Sequence, residues 1–182
     1  MAEQESTNLT RNVNVIIIPD GTHGTLKKDD VVTIMQSLGG SYTISTETGL
    51  LARISAIDAD ALGKEVEVIR AYETGTDPDS ILKASWDFMR TVYDPEIPVN
   101  VVDLGLIYDC KVRALTDGLN HVHVKMTLTA PGCGMGPVIQ ADIESGIKQM
   151  DAVETVEVEV VLDPPWNQNM MSEAAKLQLG ML

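Results

Sequence analysis

Aromatic residues are scarce in this chain, about 4% of 182 residues, so a flavin-stacking box or a platform for unpaired bases has little material to be built from. Cysteines number only two, Cys110 and Cys133, too few for a disulfide framework. Any sulfur chemistry therefore rests on very few atoms. Basic residues are also under-represented: 13 Lys and Arg stand against 27 Asp and Glu, a formal charge of -14, with no basic stretch to interrupt the acidity. Such a surface repels a phosphate backbone, which argues against nucleic acid as a partner. No apolar run approaches the ~20 residues of a membrane span, and the start, MAEQESTNLT, is polar and acidic where a signal peptide is basic and then apolar. These features lead us to expect a cytoplasmic protein with no membrane partner.

What is present is enough apolar material, 44% of the chain, to bury a real core. Residues 1 to 12 show no periodicity and read as a disordered tail. Residues 13 to 72 are short β-rich runs separated by turn residues: VNVIIIP, DGTHG, VVTIMQSLGG, SYTI, LLARI and EVEVI. Residues 73 to 79 concentrate Gly, Pro and Asp and read as a linker. From residue 80 to 182 the pattern lengthens. Asp79 or Ser80 suits the cap of a helix carrying Ile81, Leu82, Trp86, Phe88 and Met89, which the two prolines of DPEIP end. A half-buried strand is predicted from Val102, with Leu104, Leu106, Tyr108, Cys110 and Val112 on one face. TDG supplies a turn into HVHVKMTLT, then GPVIQADIESGIKQM reads as a helix, TVEVEVVL as a strand and SEAAKLQLG as a last short helix. The fold class is α+β: a small β-rich module followed by a two-layer α/β domain ordered helix, strand, strand, helix, strand, helix.

The chemistry concentrates in MTLTAPGCGMGPV, where a strand ends in a glycine-rich loop that holds Cys133 before a helix starting near Pro137. The positive end of a helix dipole favours the anionic form of a nearby sulfur, and thiolate is the form that binds iron. Thr127 and Thr129, at the strand end, are candidate hydroxyl donors to that sulfur. Cys110 falls on the core face of its strand and reads as buried. His121 and His123 share a strand face, about 20 Å or more from Cys133 at ~3.4 Å per residue, and read as a solvated edge rather than a metal site with it. No His base lies near Cys133 in sequence, which argues against a nucleophilic enzyme.

DPEIPVNVVDLGLIYD, residues 94 to 109, together with TLTAPGCGMGPV, residues 127 to 138, resembles the signature of the SufT-type iron-sulfur cluster assembly proteins and their PaaD-like relatives. The β-rich module, with DDVVTIMQSLGGSYTI and LLARISAIDADALG, looks like the extension that sets the SufT kind apart. The resemblance implies help in maturing iron-sulfur proteins without catalysis, with Cys133 as the reactive or transient cluster ligand and Asp94, Glu96 and Asp103 as acidic residues able to support it or a partner. Four ligands normally hold a cluster, and one cysteine is exposed, so no cluster should bind stably to one copy. Three readings stay open: a homodimer whose two Cys133 share a labile iron-sulfur cluster, a transfer factor lending one ligand, or an adaptor that holds assembly and carrier proteins and apo-clients while Cys133 is structural.

Overall fold

The computed structural model describes residues 5–66 and 75–181 and divides the chain into two compact units, Met1–Val68 and Ile69–Leu182. Residues 1 to 4 of the expected tail, 67 to 72 of the β-rich module and 73 and 74 of the expected linker lie outside the described residues.

The first unit is a six-stranded antiparallel sheet built from β1 (Glu5–Asn8), β2 (Val13–Ile17), β3 (Thr22–Leu26), β4 (Val31–Leu38), β5 (Ser41–Thr46) and β6 (Leu51–Ile54), in the order β1-β4-β5-β6-β2-β3. Period-two alternation sends Val13 and Val15 inward with Asn14 outward, and Val32, Ile44, Ala52 and Ile54 complete the core. Gly39 and Gly40, both at positive φ (57° and 76°), close the two-residue β4–β5 hairpin, a geometry matched to strand twist that other residues resist. The expected disordered tail needs correcting from Glu5 onward. β1 pairs with β4, Leu9 is buried, the Thr10 amide donates to the Ala61 carbonyl, and Arg11 reaches Asp58 and Asp60. These partners lie about 25 to 50 residues downstream, so local periodicity carries no sign of them.

The second unit packs α1 (Pro78–Met89) and α2 (Gly136–Lys148) with a three-stranded sheet, β7 (Ile107–Ala114), β8 (Asn120–Met126) and β9 (Val153–Val160), and ends in α3 (Glu173–Gln178). β8 lies in the middle, antiparallel to β7 and parallel to β9, as the α2 crossover requires. Ile81, Phe88 and Met89 from α1, Val122, Val124 and Met126 from β8, and Ile139, Ile143 and Ile147 from α2 form one buried cluster. Ile143 is completely buried, and Ile143→Val is expected to cost about 1 kcal/mol of stability in urea. Both tryptophans, Trp86 and Trp166, belong to this unit, so indole fluorescence reads it selectively.

Two boundaries differ from the sequence pattern. The helix begins before the predicted cap: Asp77 is the N-cap, its carboxylate accepts the Ser80 amide (3.0 Å), and Pro78 fills the first helical position, so residues 78 and 79 are helix rather than linker. The strand predicted from Val102 starts only at Ile107. Asn100 Oδ1 accepts the amides of Val102 and Asp103, and Gly105 turns at a φ of 78°, so a tight turn buries Leu104 and Leu106 where a strand was expected to. A bulge follows at Tyr108 and swings its ring off the predicted core face.

Candidate functional site

The site grows from the end of β8. On one side the Thr127 amide donates to the Leu106 carbonyl (2.8 Å), and on the other the Val161 amide donates to the Met126 carbonyl (2.8 Å). This strand end is therefore clamped between the turn that carries Asp103 and the exit of β9. Thr127 is 1% exposed, and its Oγ1 is buried without a hydrogen-bond partner among the described residues. A buried hydroxyl left unmatched costs free energy of about 1–3 kcal/mol, and one ordered water at this strand end would offset it.

Beyond Thr127 the chain runs through half-buried Leu128 and Thr129 into an exposed Ala130-Pro131-Gly132 tip and then to Cys133. The Cys133 amide donates to the Ala130 carbonyl (3.2 Å), and the Cys133 carbonyl accepts the Gly136 amide (3.1 Å). The loop is pinned behind the cysteine by Met135, fully buried, and by the fit of Leu128 against Gly136, where an added Cβ would lie 2.8 Å from both leucine methyl carbons. No side chain caps α2, and its first amides are paired within the main chain instead: Gly136 donates to the Cys133 carbonyl, Val138 and Ile139 donate to the Met135 carbonyl, and Pro137 has no donor. Cys133 is a free, half-exposed thiol held at the threshold of that helix.

The second cysteine is no rival. Cys110 is 6% exposed in the core, and burial, with a smaller push from Asp109, drives its thiol up to about 12. It is protonated and inert at neutral pH, as its place on the strand predicted.

The acidic residues of the DPEIP stretch divide by role. Asp94 is 3% exposed, and its carboxylate accepts the amides of Glu96 and Ile97 (both 2.8 Å), which forms the turn itself. Burial pushes its carboxyl above the usual range while those two amides pull it back. Glu96 is exposed. Asp103 is half-exposed and oriented by Asn100, whose Nδ2 donates to Asp103 Oδ2 at 2.6 Å. Among the described residues, none of Thr127, Thr129, Asp94, Glu96 or Asp103 hydrogen-bonds the Cys133 sulfur. The structure joins the acidic turn and the cysteine loop through the main chain at Leu106 and Thr127, not through side chains. Asn100 was not singled out in the sequence, although an Asn two residues before the amides it caps is a recurrent turn signal.

His121 and His123 lie on the central strand rather than at a sheet edge, His121 Nδ1 paired with Thr155 Oγ1 (2.7 Å) and His123 3.2 Å from Glu159. Among the described residues no three His, Cys, Asp or Glu side chains converge to hold a metal ion. No helix of the described residues is long and apolar enough to cross a membrane.

Comparison with known proteins places this geometry. The pattern of the family described as iron-sulfur cluster assembly protein matches residues 84–160, from α1 to the end of β9. A protein of Porphyromonas gingivalis named Fe-S protein maturation auxiliary factor is 50% identical over 94 residues, which is 52% of this chain and 86% of the relative. The Fe-S protein maturation auxiliary factor SufT of Staphylococcus aureus is 40% identical over 89 residues, 49% of this chain and 97% of its own. Among solved structures, a DUF59 domain of unknown function from Bacillus anthracis superposes with a TM-score of 0.52 at 32% identity, covering 58% of this chain and 96% of its own. Through its second unit, this chain belongs to the iron-sulfur cluster assembly protein family, alongside the Fe-S protein maturation auxiliary factors.

Proposed function

We propose that this protein is a cytoplasmic accessory factor in the assembly of iron-sulfur clusters or their transfer to client proteins, with Cys133 as a transient ligand of the cluster in transit. The cluster is cargo here. One observation carries the reading: a single half-exposed thiol stands on a glycine loop between the clamped end of β8 and the start of α2. A thiol that reaches solvent on a projecting loop can be lent to a cluster whose other ligands come from elsewhere. Thr129, Asp94, Glu96 and Asp103 support the loop and its approach rather than binding iron.

A cluster takes about four ligands, so the remainder come from a second copy, from a carrier or from the client. Among the described residues no acid–base partner bonds the thiol, and the reading assigns the protein no turnover chemistry. Its partners are assembly and carrier proteins and apo-clients. With a charge of -14, partners presenting basic patches are favoured, chiefly through encounter rate.

Anaerobic reconstitution with iron and sulfide tests the proposal. The wild-type chain is expected to develop visible charge-transfer absorption with less than one cluster per chain, and Cys133→Ser to lose it while keeping its fold. An absence of bands in both, with maturation activity intact in the variant, would replace the carrier by an adaptor that only gathers other assembly factors.

A further inference from the structure

The segment after β9 does not simply trail away. From Val161, whose amide holds the end of β8, it crosses to the opposite side of that strand end and bonds the turn before β7. Trp166 Nε1 donates to the Leu104 carbonyl (2.8 Å), the Ser172 amide donates to the Asp103 carbonyl (2.8 Å), and Tyr108 Oη donates to the Pro164 carbonyl (2.7 Å). Met171 and Ala175 anchor its far end in the core. Contact at the turn is so close that a Cβ on Gly105 would lie 2.3 Å from the Met170 carbonyl oxygen.

These bonds close a ring of contacts to main-chain carbonyls around one point. The strap, residues 161 to 172, holds Asp103 and Leu104; two residues on, the Leu106 carbonyl holds the Thr127 amide; Thr127 is the root of the Cys133 loop. Most of the strap between Leu162 and Asn169 is solvent-exposed, and Trp166 is its one half-buried side chain there. An indole N–H that leaves water needs an acceptor, and here the acceptor is the turn.

We infer that the C-terminal strap sets the position, and so the reactivity, of the Cys133 loop, with Trp166 as a positioning residue acting through Leu104, Leu106 and Thr127. This deepens the reading of Cys133 as the working position and rests on it, although the strap itself is tested without iron.

Trp166→Phe keeps an aromatic ring and removes the N–H donor together with part of the indole's packing surface. Loss of one such bond shifts a docking equilibrium by about fivefold. In the purified full-length chain, amide exchange at Thr127 and alkylation of Cys133 by iodoacetamide are both expected to rise by that factor, with exchange at Val124, one turn of the pleat deeper in β8, unchanged. Gly105→Ala, which pushes the Met170 carbonyl away without touching the indole, is expected to reproduce the pattern. Val153→Ala, a core substitution at the other end of β9, where Val153 pairs with Asn120, serves as the stability control and is expected to leave the Cys133 rate alone. Wild-type rates in Trp166→Phe, or a rise at Val124 equal to that at Thr127, would overturn the inference. Because both rates are read on metal-free protein, that failure is separate from a failure to bind a cluster.

Discussion

Iodoacetamide applied to the folded protein is expected to label one of its two cysteines, and that one is Cys133. Alkylation proceeds through the thiolate. With the Cys110 thiol pushed up to about 12, roughly one Cys110 in 10,000 is ionised at pH 8, before burial slows access further. Peptide mapping after brief exposure is therefore expected to find the label on the 130s loop alone, and a second equivalent only after urea. A fast second equivalent in the native state would mean that β7 opens on its own, and the core assigned to the assembly unit would be wrong. The same burial has a consequence for stability. The folded state keeps the Cys110 proton that the unfolded chain gives up near its ordinary value of 9.0, so between about pH 9 and pH 12 the native state binds more protons than the unfolded one. Stability falls as pH rises through that window, by about 1.4 kcal/mol per pH unit for one group. Cys110→Val removes this contribution and is expected to flatten the decline in urea denaturation midpoints above pH 9.

Periodicity alone was enough for β8, α2 and β9, because each is a single amphipathic run whose burial is decided by its own spacing. The same reasoning failed where one side chain or one distant contact decides. The stretch from Val102 alternates like a strand, yet Asn100 caps two of its amides and Gly105 turns at positive φ, and the leucines are buried by a turn instead. Leu9 and Arg11 look like tail residues until Ala61, Asp58 and Asp60 are brought back against them. At the site, a cysteine between glycines ahead of a helix is visible in the letters. The burial of the Thr127 hydroxyl is not, since it depends on the turn and the β9 exit closing on both sides of β8. Trp166 was read only as a residue able to pack, and what matters is the direction of its N–H.

The tightest contact in the assembly unit predicts the largest stability change. Gly146 sits in the last turn of α2, where it faces α1, and a Cβ built there falls 1.8 Å from Phe88 Cζ. In an isolated helix, alanine at this position would be better than glycine by about 1 kcal/mol. In this protein the ring has to move well over an ångström into a core that has no room for it, which costs about 3 kcal/mol. The clash wins, and Gly146→Ala is expected to destabilise the unit by about 2 kcal/mol net, read from urea unfolding followed by indole fluorescence. Phe88→Leu alone should also destabilise, by about 1–2 kcal/mol, because it leaves a gap. Together the two changes are expected to cost at least about 1 kcal/mol less than their sum, since the shorter side chain vacates the volume that the new methyl group takes. Strict additivity would mean that α1 and α2 do not meet at this pair.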